Sequence, residues 1–218
     1  MTNAPAQAAA RTIPLAQTAL LPQPVCCARK RILMIVGSLR EGSLNLQLAQ
    51  EAATLLRAHA EIFFLDYAGL PWLDQNADFP PAEVQRVRTE VFLTDGLWFF
   101  TPEYHSSYPG VLKNLLDWLA IPRWKVGFPP DMVIQGKKAA ISGASGKSAA
   151  SCARQKLTEQ LKAIRAIPME EPQTGVALST KALVSGRLTL SPQEQMALGN
   201  QAEAFLRFLE ETGCPEAH

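Results

Sequence analysis

The sequence predicts an α/β fold in which a parallel sheet carries helices on both faces. Three observations lead there. Strand-like apolar runs alternate with helix-periodic segments along the chain, an order that calls for right-handed crossovers and parallel strands. The run 96–101 (GLWFFT) is apolar throughout, as a central parallel strand covered on both faces requires. Polar loops of small residues follow the first, third and fourth strands, which puts all three at the C-terminal edge of the sheet, where ligands sit in such folds.

The first strand lies in 31–45 (RILMIVGSLREGSLN), where five apolar residues end in a loop of Gly, Ser and Asn, and 46–58 reads as helix. Residues 61–66 (EIFFLD) form a short second strand leading to a loop with Gly69, Pro71 and Trp72. Pro80 and Pro81 introduce a helix over 82–94, where a missing N–H in the first turn costs little. After the strand at 96–101 comes the loop PEYHSSYPG, and helical periodicity resumes over 111–119. Residues 138–142 give a fourth strand, followed by the loop GASGKSAAS and a helix from 152 to 166. A weak fifth strand at 167–169 and a final helix over 192–211 complete the chain, the latter apolar at Met196, Leu198, Phe205, Leu206 and Leu209. Residues 120–136 are the only long connection, and there is no internal repeat.

At 218 residues the chain reads as one domain, residues 31–212, preceded by an arm (1–30) and followed by a short tail (213–218). Its 47% hydrophobic and 19% charged residues fit a soluble globular enzyme. With 21 basic and 20 acidic residues the net charge is +1, so no global field recruits nucleic acid or an anionic membrane, and no apolar run is long enough to span a bilayer. Cys26, Cys27, Cys152 and Cys214 show neither C-x-x-C spacing nor companion histidines, which excludes a zinc motif and suits a reducing cytoplasm. Residues 1–30 have Arg11 as their only charge before Arg29 and Lys30, and Pro14, Pro22 and Pro24 interrupt what a signal peptide needs as a continuous apolar core.

The loop after the first strand suits phosphate. N–H groups unpaired at a helix start, with the hydroxyls of Ser38 and Ser43 and the charge of Arg40, can surround an anion. The same residues also read simply as a capped helix, with Ser43 or Asn45 as the cap. In the second loop, Pro102 and Pro109 stiffen the chain, Gly110 leaves room for close approach, and exposed N–H groups can bond the edge of a flat heterocycle that Tyr104 covers. The plainer reading is a strand-to-helix turn in which Ser107 caps the helix. In the third loop, Gly146, Lys147 and Ser148 imitate the end of a nucleotide phosphate loop, but Ile141 stands where its first Gly belongs. Past the second loop, Trp118, Leu119, Ile121, Trp124 and Phe128 form an interface, a cover over a neighbouring site, or a segment folded back on its own core. His59 and His218 read as solvated surface residues.

GSLREGSLN followed by PEYHSSYPGVLKNLLDW resembles the NADPH-dependent FMN reductases of the flavodoxin-like fold, a family that includes quinone, azo-dye and chromate reductases. Their loops read approximately G-S-x-R-x-x-S-x-N and P-E-Y-N-x-S-x-P-G-x-L-K-N-x-x-D-W. The resemblance spans residues 31–209 and implies a three-layer sandwich with a five-stranded parallel sheet. It implies that Ser38, Arg40, Ser43 and Asn45 hold the FMN phosphate, and that Pro102, Glu103, Tyr104, His105 and Ser107 line the isoalloxazine. The family's third loop corresponds to Gly143, Ala144, Ser145 and Gly146. The chain departs from the family in two places: Ala150 and Ser151 stand near a usual Gly-Gly pair, and His105 replaces an Asn. Either His or Asn can hydrogen-bond a flavin, but only His can change charge near neutral pH.

The resemblance further implies non-covalent FMN, NADPH or NADH as co-substrate, a small-molecule acceptor and a homodimer or homotetramer, with no catalytic acid or base and no resident metal. The alternative is a flavodoxin-type electron carrier acting with partner proteins. Such carriers usually have a T-x-T-G-x-T first loop and an acidic surface, whereas this chain has Arg40 in that loop and balanced charge.

Overall fold

The computed structural model describes residues 29–74, 81–121 and 132–211. In chain order these form β1 (Lys30–Val36), α1 (Leu44–Leu56), β2 (Ala60–Phe64), α2 (Ala82–Phe92), β3 (Gly96–Thr101), α3 (Gly110–Ala120) and β4 (Lys138–Ser145). They continue with α4 (Ser151–Ala163), β5 (Ile167–Pro168), β6 (Gly175–Ala177), α5 (Thr180–Ser185) and α6 (Pro192–Glu210). Every pairing between these strands is parallel, in the order β2-β1-β3-β4-β5, with β6 also against β4. This is the flavodoxin-like order, whose direction reverses between β1 and β3 and opens a crevice there.

Alternation along the strands builds the three layers. Leu33, Ile35, Leu97, Phe99, Ala139 and Ile141 face one side, where α2, α3 and α4 supply Val87, Val91, Leu115, Leu119, Leu157 and Leu161. Their neighbours Ile32, Met34, Trp98, Phe100 and Ala140 face the other, against Leu48, Ala52 and Leu56 of α1 and Leu198, Phe205 and Leu209 of α6. Trp98 stacks on Phe100 and meets the edge of Phe205, each at 5.5 Å between centroids. Gly96 sits close under this packing, where a Cβ would lie 2.7 Å from Leu209 Cδ2 and that side chain would have to shift.

The fifth strand is one position in the sheet but two pieces of chain. β5 pairs with the start of β4 and β6 with its end, so the segment between them leaves the ladder. Pro168 does not interrupt the ladder, since Ile167 N and Met169 N on either side of it donate to Lys137 O and Ala139 O and its own missing N–H falls on the outer edge. β4 runs to Ser145, three residues beyond the sequence expectation, because β6 gives Gly143–Ser145 a partner. α5 escaped the sequence reading; six residues are too few for a helical period to show. On α6, Leu198, Phe205 and Leu209 are buried as expected, but Met196 is largely exposed.

The aromatic segment after the second loop resolves toward its own core. Trp118 and Leu119 are buried, and Trp118 Nε1 donates to Pro71 O at 2.8 Å. They are thus corrected from interface or cover to core residues; Ile121 is half-buried, and Trp124 and Phe128 lie outside the described residues. So do the arm through residue 28 and the tail from 212, with Cys26, Cys27, Cys214 and His218. Among the described residues no helix is long and apolar enough to cross a membrane, and no group of three His, Cys, Asp or Glu could hold a metal ion.

Candidate functional site

The loop between β1 and α1 is pinned at both ends. Gly37 N donates to Phe100 O at 2.8 Å on β3, and Ser43 N donates to Arg40 O at 3.1 Å, closing a turn that Gly42 completes at φ +68°. Ser43 is the N-cap of α1: its Oγ accepts from Leu46 N at 3.3 Å, which decides between Ser43 and Asn45 as cap. The remaining N–H groups of the first turn point out of the helix end toward the cleft, with their partial positive charge.

Asn45 does a different job. Its Nδ2 donates to Ala144 O and its Oδ1 accepts from Ala144 N, both at 2.9 Å, and Asn45 is only 3% exposed. The side-chain amide therefore fastens the first loop to the third. It sets where the anion cradle stands and leaves Ser38, Arg40 and Ser43 as the side chains that present hydroxyls and charge.

The second loop contains a two-residue reversal. Tyr104 N donates to Ser107 O at 2.8 Å and Ser107 N to Tyr104 O at 3.0 Å, with His105 and Ser106 between them at φ +50° and +59°. Two positive φ values in succession define a type I′ turn, which favours Asn-Gly. The Asn of the related motif at position 105 thereby acquires a backbone reason. Ser107 does not cap α3; Pro109 holds the N-cap position with no side-chain cap, and Ser107 is occupied in the turn. His105→Asn is expected to stabilise the fold by a few tenths to about 1 kcal/mol by relieving the turn. Thermal unfolding checks this, and a variant less stable than the parent would count against the turn as the governing factor.

The third loop holds a second positive-φ pair, Ala149 (+48°) and Ala150 (+58°), immediately before α4. It lies one residue ahead of the Gly-Gly placement the family resemblance suggested. A non-glycine residue in this conformation costs about 1–2 kcal/mol, offset here by burial of Ala150 against Gly143, where a Cβ would sit 2.7 Å from that of Ala150. Ala150 gives α4 no side-chain cap; Glu103 supplies one, its Oε2 accepting from Ala153 N at 3.1 Å. Burial pulls the Glu103 carboxyl up, but bonds from Ala153 N, the Ser148 hydroxyl and Cys152 N, with the charge of Arg154, hold it below the ordinary range. A lowered pKa means that this contact stabilises the fold above the usual carboxylate range and lapses as pH falls through the lowered value. Ser148, part of the phosphate-loop imitation, thus stands near enough to Glu103 to favour its charged form.

These loops enclose a cleft of about 230 Å³ beside the β1/β3 switch point, lined by Ser38, Arg40, Ser43, Asn45, Pro102, Tyr104, Ser145 and Gly146 of the expected site, together with Leu44, Leu178 and Leu183. Glu103, His105 and Ser107 are not among its lining residues; Glu103 caps α4, and His105 and Ser107 belong to the turn. Leu178 and Leu183 escaped the sequence reading. The one available signal was the pair Ser179 and Gly186, which bracket α5 as N-cap and C-cap. Larger clefts lie elsewhere, one of 420 Å³ between α1 and α6 and one of 410 Å³ along α4. Volume does not select the site; hydroxyls, a guanidinium and a helix N-terminus converging on one cleft do.

Residues 30–181 match the family described as NADPH-dependent FMN reductase. The chain is 36% identical over 163 residues to an NAD(P)H-dependent FMN reductase of Pseudomonas aeruginosa, covering 72% of this chain and 84% of that one. It is 42% identical over 116 residues to a 2-hydroxy-1,4-benzoquinone reductase of a Burkholderia species, covering 53% of this chain and 60% of that one. Among solved structures, a flavoenzyme NAD(P)H:(acceptor) oxidoreductase of Paracoccus denitrificans superposes with a TM-score of 0.72 at 30% identity, covering 83% of this chain and 97% of that one.

Proposed function

Because the chain belongs to the NADPH-dependent FMN reductase family, we propose that it is an NAD(P)H-dependent flavin oxidoreductase. It holds FMN non-covalently and passes electrons from NADPH or NADH to a small acceptor such as a quinone, azo compound, metal oxyanion or free flavin. The observation that carries this reading is the start of α1, where Ser38, Arg40 and Ser43 meet a helix N-terminus at the switch-point cleft. That donor set fits a phosphate ester.

FMN, when bound, supplies the electron chemistry between nicotinamide and acceptor. Ser38, Arg40, Ser43 and the first turn of α1 bind the phosphate. Asn45 orients that cradle through Ala144. Pro102, Tyr104, Ser145 and Gly146 form the ring-bearing end, and Leu178 and Leu183 add apolar surface to the cleft wall. The turn at His105 and Ser107 and the Glu103 carboxylate hold the second loop in shape. Arg40, rather than an acidic surface, at the cleft favours an enzyme that meets nucleotide and small acceptor over a carrier that docks on proteins.

The test is direct. The purified protein should retain flavin absorption in the visible and oxidise NADPH steadily when a quinone is supplied. No affinity for FMN would refute the reading, and bound FMN without NAD(P)H oxidation would favour the electron carrier. We further read the protein as a cytoplasmic homodimer or homotetramer, supported by an exposed thiol at Cys152, which suits a reducing compartment, and by large apolar groups at Leu39, Trp72 and Tyr104. Light scattering at working concentration showing only monomer would remove the oligomer.

A further inference from the structure

We propose that Glu103 is a positioning residue, whose carboxylate locks the loop after β3 onto the loop after β4 and thereby sets the ring-bearing end of the cleft. The inference rests on the FMN reading above and assigns Glu103 a task distinct from touching the flavin.

The geometry begins with a helix that lacks its own cap. Ala, the residue at the N-cap of α4, is among the poorest for that position, and Ala150 offers no side-chain acceptor. The acceptor comes from 50 residues earlier in the chain. Glu103 Oε2 takes the Ala153 N–H at 3.1 Å, and the neighbouring Ser148 hydroxyl and Cys152 N–H also favour the charged carboxylate. A negative charge at a helix N-terminus is favourable in its own right.

Two further contacts make this a lock rather than a lone cap. The Glu103 main chain accepts from Ser145 Oγ at 3.4 Å, so the residue grips the third loop through both its backbone and its side chain. Beneath it Gly143 leaves no slack: a Cβ there would stand 2.6 Å from Thr101 O and 2.7 Å from the Ala150 Cβ. Pro102 and Tyr104, the residues on either side of Glu103, and Ser145 and Gly146, at the other end of the lock, line the cleft. Releasing the carboxylate frees one wall from the other without altering the phosphate cradle at Ser38, Arg40 and Ser43. Arg154 of α4 is the charged group that acts on the carboxylate, and it answers in turn to Glu171.

The experiment compares Glu103→Ala and Glu103→Gln with Ser191→Ala, which removes the capping box of α6 away from the cleft. Affinities for FMN and for riboflavin are read by flavin fluorescence, and stability by thermal unfolding. Glu103→Ala should weaken both ligands about equally, by about tenfold, since a charge-assisted bond is lost at the ring end. Glu103→Gln, which keeps one acceptor oxygen for Ala153 N, should lose about threefold. Ser191→Ala should lower the melting temperature comparably and leave both affinities unchanged. Parental affinity in Glu103→Ala, or in Glu103→Gln should the alanine variant not fold, overturns the proposal. A loss confined to FMN also overturns it, because that would place Glu103 at the phosphate. A parent protein that binds neither flavin refutes the FMN reading itself, which is a different result from a flavin-binding parent with indifferent Glu103 variants.

Discussion

Asn45→Ala is expected to lower the folding free energy by about 2–6 kcal/mol, because it strands two buried groups, each costing about 1–3 kcal/mol when left without a partner. The groups are the N–H and C=O of Ala144, itself 1% exposed, and no other side chain is shown bonding to them. For a chain of this size that corresponds to a fall in melting temperature of about 4–24 °C. FMN affinity should collapse with it, since the start of α1 and the end of β4 then lose their common reference. Asn45→Asp should also destabilise, because a carboxylate can still accept from Ala144 N but cannot donate to Ala144 O. Thermal unfolding with a flavin titration checks both. A melting temperature in Asn45→Ala equal to the parent's would show that water replaces the side chain and that the tie is dispensable.

Arg40→Ala combined with Ser43→Ala should leave the fold nearly intact and remove the phosphate anchor. Each charge-assisted or phosphate-directed bond contributes about 1.5–3 kcal/mol, so FMN affinity should fall by about a hundredfold or more. Loss of the α1 cap adds about 1 kcal/mol of destabilisation, far less than Asn45→Ala. Riboflavin, which lacks the phosphate, should bind more weakly than FMN to the parent and be almost indifferent to the double variant. Titration calorimetry of the two ligands separates the cases, and equal losses for both would move the phosphate away from Arg40 and Ser43. Together with the Glu103 series, the cleft then divides into two ends that mutation addresses independently.

The contrast between Asn45 and Arg40 shows how far the sequence could be read. Both stand in G-S-x-R-x-x-S-x-N, and the motif assigns both to phosphate. In the structure Arg40 is exposed at the cleft, whereas Asn45 is spent on Ala144, 99 residues away. Nothing in the local sequence distinguishes an amide that will face a ligand from one that will face a backbone. Glu103 repeats the lesson: the motif places it beside the ring, and its partner is the N-terminus of α4. His105 adds another case, since its departure from Asn reads as a change of charge chemistry until the φ of +50° shows the turn that position serves.

The sequence by itself determined the layered parallel fold, the three loops at one edge of the sheet and the flavin-reductase family. Each of these is written in local properties. An apolar run such as 96–101 must be covered on both faces wherever it lies, a small-residue loop between strand and helix exposes N–H groups whatever surrounds it, and the paired motifs need only order and spacing. Tertiary structure alone decided which atoms spend their bonds on one another: Asn45 on Ala144, Glu103 on α4, Trp118 on Pro71 within the core rather than on a surface. It also decided that the edge strand is split into β5 and β6 and that Leu183 of α5 lines the cleft. The physical reason is that a side chain's hydrogen-bonding capacity is fixed by its chemistry, while its partner is fixed by which backbone groups packing brings within 3 Å and leaves out of reach of water.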